Sequence, residues 1–256
     1  MIHATAIVHP SARIDASVSI GPYSIVGEQV KIGAGTKIAS HVVIERWTEI
    51  GRDNQIFQFA SVGAGPQDLK YKGEETWLVI GDRNRIREFA TLHRGTVDGG
   101  GRTVVGNDNL LMAYSHVAHD CEVHNRIVMA NAATLAGHVE VEDNAILGGL
   151  VAVHQFCRVG CHAMISGGAM IAQDIPPYTI AQGDRAKTIG INLVGLKRRG
   201  FPEATIRGIK NAYKLMFRSG LRMEEALERI DSEFGTIPEV QHFAAFIKGS
   251  QRGIAR

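Results

Sequence analysis

Six of the 11 histidines of this chain fall between positions 116 and 162. The run SHVAHDCEVH supplies His116, His119, Asp120 and His124, LAGHVE supplies His138, and VHQFCRVGCH supplies His154 and His162. An imidazole beside a carboxylate, as in His119–Asp120, suits general-base work, because the carboxylate fixes the tautomer and stabilises the imidazolium that forms. No Ser or Cys is obviously placed beside that pair as a nucleophile, which favours direct attack by a substrate hydroxyl. The same residues offer a rival chemistry. His-x-x-His at 116 and 119, joined by His138 or His154, supplies enough imidazoles for zinc, as in a metal-dependent hydratase.

Which of these residues meet depends on the elements that carry them, and those elements repeat. Stepping six from Ile2 gives Val8, Ile14, Ile20, Val26, Ile32, Ile38, Ile44, Ile50, Ile56 and Val62, every one a β-branched aliphatic. The frame resumes at Ile80, Ile86 and Leu92, slips by one, and runs from Val105 through Val117, Leu135, Val153 and Ile165 to Ile171. The place after the aliphatic is often Gly or Ala, and the fourth place after it is usually small or β-branched. A period of six fits neither a helix nor a simple alternating strand. It fits a short strand plus a turn, as in the hexapeptide parallel β-helix, with three repeats to a coil and small residues at the corners. A narrow prism has little room for rings, in keeping with an aromatic content of 6%.

Residues 18 apart should therefore stack, with neighbouring coils about 4.8 Å apart. That places Gly137 over His119 and Gln155 beyond it, with His138 over Asp120 and His154 next to Gln155. The six residues are expected on one wall. A Gly in the coil above a general base offers an unobstructed N–H to an oxyanion. His116 and His119 hold different places in the hexad, which counts against the zinc set. Cys121 and Cys157 share one place two coils apart, about 9–10 Å, too far for a disulfide or a common metal. Cys161 holds another place, and all three read as structural.

Two stretches leave the frame, Ala64 to Leu78 and Asp98 to Thr103, and are expected as loops for ligand or partner contacts. After a Pro-containing exit the chain reads as helices. One ends on Gly200, one runs from Pro202 to Ser219–Gly220, one spans Met223–Phe234, and one starts at Pro238. A β-helix over 1–190 and an α-helical region over 191–256 are the expected domains. Residues 193–256 hold 12 Lys/Arg against 7 Asp/Glu, whereas residues 1–192 hold 16 against 19. A basic helical cap on an acidic prism suits an acidic partner or phosphates, and Arg207, Lys210, Lys214 and Arg218 recur along one helix.

Composition narrows the classes further. The 29 Gly follow no three-residue rule and Pro numbers only 7, which excludes collagen-like and Pro-rich disordered chains. No apolar run approaches the ~18–20 residues of a membrane span. MIHATAIVHPSARID lacks a basic start followed by an apolar core, so no secretory leader is expected. With 3 Cys in 256 residues there is no disulfide framework, and a cytoplasmic protein is expected. No P-loop and no G-x-G-x-x-G opening a helix is present.

The hexad array with QDLKY at 67–71, HRGTV at 93–97, AHDC at 118–121, LAGHV at 135–139, VHQFC at 153–157 and GLKRRGF at 195–201 resembles the UDP-N-acetylglucosamine 3-O-acyltransferase family, along essentially the whole chain and in order. The resemblance implies a left-handed β-helix, a homotrimer with active sites between subunits, and no metal or other cofactor. It implies transfer of an R-3-hydroxyacyl group from acyl carrier protein to the glucosamine 3-hydroxyl of UDP-N-acetylglucosamine, with neither nucleic acid nor stable membrane insertion involved. By the same resemblance His119 is the catalytic base, Asp120 its orienting partner and Gly137 the oxyanion amide. Asp68, Lys70, His116, His138, His154, Gln155, Asn192, Arg198 and Arg199 become substrate contacts, and Gly167 the acyl-chain ruler. The family often carries Glu two places after the matched Asn. Here that place is Val194, so one nucleotide contact is expected to be missing. A non-catalytic binding module for a nucleotide sugar or carrier protein would keep the repeat without needing His119–Asp120.

Overall fold

A computed structural model describes residues 1–256. Each hexad forms a strand of two residues followed by a turn, and every third strand pairs in parallel with the one a coil further on. Sheets of nine, eight and ten strands, the last including an antiparallel strand added after the final coil, build the three walls of a left-handed parallel β-helix. Along one wall Ile20, Ile38, Ile56, Ile86, Leu111, Met129, Leu147 and Ile165 pair in turn. Their side chains point inward and are at most 3% exposed, in an apolar stack that runs the length of the prism. Each such aliphatic contributes about 1.5–3 kcal/mol on burial.

The corners differ from the expected small-residue bends. The third place after the inward aliphatic takes a left-handed φ near +60°, and 19 non-Gly residues occupy it, among them Asp120, His138 and Phe156. This conformation costs an L-residue about 1–2 kcal/mol. Stacking offsets the cost: most of these corner amides donate to the coil before them, as His138 N–H does to His119 O at 3.0 Å. At one corner Tyr23, His41, Phe59, Phe89 and Tyr114 form a column with ring centroids 4.9–5.2 Å apart, tilted at His41 and stacked face to face from Phe59 to Tyr114.

Both excursions are placed differently from the expectation. The first covers 65–76, because Trp77–Ile80 is a strand and Leu78, paired with Thr48, is fully buried. The second covers 94–101, because strands end at His93 and begin again at Arg102. Four-residue strands follow each loop, and their two-residue alternation turns Leu78 and Thr103 inward ahead of Ile80 and Val105, which a six-residue frame does not register.

The loops lengthen two coils, so that Asn54 and Asn84 lie 30 residues apart and Asn84 and Asn109 lie 25 apart. These three asparagines form a buried ladder. Asn84 N–H donates to Asn54 Oδ1 at 2.8 Å, Asn109 N–H to Asn84 Oδ1 at 2.9 Å, and Asn84 Nδ2 to Gly106 O at 2.8 Å. The register is thereby held across the interrupted coils by side-chain amides as well as by strand pairing.

Past Ile171 the chain forms an antiparallel hairpin of Thr179–Gln182 and Lys187–Ile191, whose first strand extends one wall. Helices α1 (Leu193–Arg198), α2 (Glu203–Arg218), α3 (Met223–Phe234) and α4 (Pro238–Lys248) follow. Ile209 of α2, Ile230 of α3 and Phe243 of α4 centre a second apolar cluster, joined by Tyr178. The last residues then turn back: Ala255 N–H donates to Asp174 O and Ser250 Oγ to Asp174 Oδ2, which places Ala255 in the prism core. A solenoid needs such a cap at its open end. None of the helices is long and apolar enough to cross a membrane.

Asn84→Ala would leave the Asn109 N–H and the Gly106 carbonyl without their buried partners, and should cost about 2–4 kcal/mol in urea unfolding followed by circular dichroism. A second expectation concerns pH. Burial, with Arg199 and Arg126 adding to it and Asp143 opposing, lowers His162 from 6.5 to about 4. Its neutral ring therefore contributes stability in full above pH 6.5 and loses that contribution as pH falls towards 4. In urea titrations at each pH, His162→Gln should show a shallower loss of stability across that window and the same slope as the parent above pH 7.

Candidate active site

His119 and Asp120 follow the strand His116–Val117 and sit at a corner of the prism, not on a wall as the stacking arithmetic suggested. The arithmetic does give their neighbours. Val117, Leu135 and Val153 are in register, so Gly137 and Gln155 follow His119 up the corner, and His138 and Phe156 follow Asp120. His119 Nδ1 and Asp120 Oδ2 are 2.7 Å apart, with the His119 side chain 14% exposed and that of Asp120 1%. An acceptor at Nδ1 fixes the proton there and leaves Nε2 as the basic nitrogen.

The carboxylate is held by the second excursion. Thr96 N–H donates to Asp120 Oδ1 and Thr96 Oγ1 to Asp120 Oδ2, both at 2.7 Å, while Asp120 N–H donates to Thr103 Oγ1 at 2.8 Å. Gly99 lies so close that a Cβ there would collide with the Asp120 carboxylate. Thr96, Gly99 and Thr103 were not singled out as site residues from the sequence, although HRGTV and the loop after it were the available signals.

Gly137 is needed for two reasons. A Cβ on it would lie 2.5 Å from His119 Cε1 and 2.8 Å from Nε2, so any larger residue displaces the ring. Its amide also donates to no acceptor in the chain. At another corner the equivalent amides are capped from the coil above: Asn107 N–H by Asn125 Oδ1 and Asn125 N–H by Asp143 Oδ1, both at 2.9 Å. Above Gly137 stands Gln155, which makes no such bond.

The other histidines divide. His138 stacks on Phe156 at 4.5 Å, with its Nε2 3.6 Å from Asp120 Oδ2. His116 bonds Thr91 Oγ1 through Nδ1 at 2.6 Å and meets the edge of His93. Burial, then His119, lowers the pKa of His116, and burial with His116, His119 and Arg94 lowers that of His93 to about 4. His154 is exposed, its Nδ1 3.1 Å from Gln155 O. The zinc set built on His116 and His119 does not form. The donors that converge are His119, Asp120 and His138, two of them already bonded to one another.

The corner separates two grooves. One, of about 480 Å³, is lined by Gly99, Asp120, His138, Glu140, Phe156 and Arg158. The other, of about 800 Å³, is lined by Ala136, His154, Met170, Gln173, Arg185 and Arg252.

The remaining candidates lie apart from this corner, and no hydrogen bond or ion pair within the chain connects them to it. Asp68 and exposed Lys70 are in the first excursion, where Asp68 Oδ1 accepts from Lys70 N–H at 2.9 Å. Arg94 ties that loop to the second through Tyr71 Oη at 3.0 Å. Asn192 caps α1, accepting from Gly195 N–H and donating to His162 O, each at 3.0 Å. Arg198 and Arg199 are exposed and form no ion pair, and Val194 is exposed at the start of α1. Gly167 is exposed at the turn after Met164–Ile165.

Residues 174–255 match a family profile described as UDP N-acetylglucosamine O-acyltransferase, domain 2, and residues 11–46 match the bacterial transferase hexapeptide. LpxA from Acinetobacter baumannii is 50% identical with a TM-score of 0.97, covering 100% of this chain and 99% of its own. UDP-N-acetylglucosamine O-acyltransferase from Moraxella catarrhalis is 47% identical with a TM-score of 0.98, over the same shares of both chains. The Arabidopsis UDP-N-acetylglucosamine acyltransferase, at 37% identity and a TM-score of 0.90, covers 100% of both. With relatives this similar along its whole length, the chain belongs to the UDP-N-acetylglucosamine O-acyltransferase family.

Proposed function

We propose that the chain transfers an R-3-hydroxyacyl group from acyl carrier protein to the 3-hydroxyl of UDP-N-acetylglucosamine, the first step of lipid A biosynthesis, in the cytoplasm and without metal or cofactor. The observation that carries the mechanism is the juxtaposition of His119, hydrogen-bonded to Asp120, with the free amide of Gly137 one coil away. His119 Nε2 takes the proton of the sugar hydroxyl as its oxygen attacks the thioester carbonyl. The carbonyl electron pair moves onto oxygen, where the Gly137 N–H receives it. Collapse re-forms the carbonyl and breaks the C–S bond, and the imidazolium returns its proton to the departing thiolate. Asp120 stabilises that imidazolium, and no acyl-enzyme is formed.

Substrate contacts are assigned to Asp68, Lys70, His116, His138, His154, Gln155, Asn192, Arg198 and Arg199. The unpaired Arg198 and Arg199 suit a diphosphate. Because these residues lie in separate parts of one chain, a homotrimer with its sites in the clefts between subunits is the assembly that joins them. The division at residue 190 belongs to the same proposal: the β-helix carries the base, and the helical region carries the arginines and the carrier surface. Arg207, Lys210, Lys214 and Arg218 are all exposed on α2, facing away from Ile206, Ile209 and Met216, and are assigned to the acidic carrier protein.

Mixing the protein with UDP-N-acetylglucosamine and 3-hydroxyacyl carrier protein should yield the ester by mass spectrometry, equally with and without chelator. His119→Ala should lower turnover by about 10²–10⁴-fold while the nucleotide sugar still binds, and near-parental turnover would remove His119 from the mechanism. Gly167 is assigned as the acyl ruler. Its φ is not left-handed and a Cβ would stand 3.2 Å from Gly149 O, so a side chain can be accommodated with a small shift. In competition among carriers bearing 3-hydroxyacyl chains of about 10–14 carbons, Gly167→Met should move the product towards shorter chains, since each excluded methylene forfeits about 0.8 kcal/mol of burial.

A further inference from the structure

Away from the corner, a second group of chemically distinct donors converges where α4 meets the prism. Glu142 follows the strand Glu140–Val141, Cys161 stands in the next coil after Arg158–Val159, and His242 lies on α4. Glu142 Oε2 is 2.8 Å from His242 Nε2 and accepts the Cys161 N–H at 2.8 Å. One oxygen, one sulfur and one nitrogen of these three side chains lie within 4.8 Å of one another. Glu142 is buried, and Cys161 and His242 are half-buried, which leaves a way in from solvent. The sequence marked Cys161 as structural and did not single out His242, because the two belong to elements with no common period.

We propose that Glu142, Cys161 and His242 form a zinc site that ties the helical region to the β-helix. The donor set selects the metal: a thiolate and an imidazole suit zinc and exclude the oxygen-only preferences of magnesium and calcium. Charge is also balanced. Zinc held by one carboxylate, one thiolate and one neutral imidazole gives a site with no net charge. The nearest fixed cation, Arg158, is 3.5 Å from Glu142 Oε1 and has a closer partner in Glu140 at 2.7 Å, so it need not move. Tyr178, whose ring lies 6.4 Å from that of His242, is buried beside the three residues. Glu142 and His242 are 100 residues apart, so a bond through the metal restrains a long stretch of chain. The site is separate from His119–Asp120–His138 and takes no part in acyl transfer.

The test uses the full-length protein stripped with chelator and given zinc chloride, with bound metal measured by mass spectrometry after gel filtration and affinity measured by chelator competition. Cobalt chloride serves as a second probe on the unmodified protein, because a cobalt–thiolate bond adds a charge-transfer absorption. The parent should bind one zinc per chain, show that absorption, and gain thermal stability with zinc. Cys161→Ser and His242→Gln should each bind zinc at least about tenfold more weakly, lose the zinc-dependent gain in stability and transfer acyl groups at the parental rate. His138→Gln, a control for the other donor cluster, should keep the zinc. No zinc uptake and no cobalt–thiolate absorption by the parent, affinity undiminished in Cys161→Ser and His242→Gln, or loss of zinc in His138→Gln alone would overturn the assignment.

Discussion

The register between successive coils is the constraint on which everything else in this protein depends. Parallel pairing and the inward aliphatic of each hexad lock it together: a slip of one residue would turn Val117, Leu135 and Val153 out of the core and bring their polar neighbours in. With the register fixed, His119 has no freedom to choose what lies above it. The Gly137 amide is beside its ring because both follow a buried aliphatic by two places.

Such rigid stacking is compatible with loops only where they leave between strands and return to the same register. The two excursions do this and then act on the site. The second one folds over the corner and presents Thr96 to the Asp120 carboxylate, while Arg94 at its start holds the first loop through Tyr71. The Asn54–Asn84–Asn109 ladder runs through the coils that these insertions lengthen. Where the solenoid is interrupted, buried amide bonds add to the apolar stack in fixing the vertical order.

These features differ in how far they could be read from the amino-acid order alone. Stacking partners were legible, because they follow from spacing: Gly137 over His119 and His138 over Asp120 need only the period. The left-handed corner was not, because the residues that occupy it, from Tyr23 to Asp120 to Phe156, share no side-chain chemistry and owe their tolerance to stacking with the next coil. Contacts made by returning segments were equally hidden. Thr96 at Asp120, Ala255 in the prism core and His242 at Glu142 each join places whose separation follows no period. The second loop was sited a few residues late because the frame is first broken at Asp98, six places after Leu92, and does not see the inward Thr103 that strand alternation adds.

The comparison of two corners shows how one scaffold can hold both inert and reactive edges. At the corner of Asn107, Asn125 and Asp143, the Asn107 and Asn125 amides are each capped by a carboxamide or carboxylate from the coil above and are not free to meet a ligand. At the corner of His119, Gly137 and Gln155 the backbone is equivalent, but Gly137 has no side chain and Gln155 does not cap it. That amide stays available, and the missing Cβ is also what admits the imidazole. The base and the donor are thus two consequences of a single glycine in register with a histidine, while Thr96 of the neighbouring loop holds the carboxylate that orients the base and Thr103 Oγ1 accepts the Asp120 N–H. Reactivity at this corner comes from setting a side-chain-free amide beside a histidine ring, and only a stack that keeps its register can hold the two together.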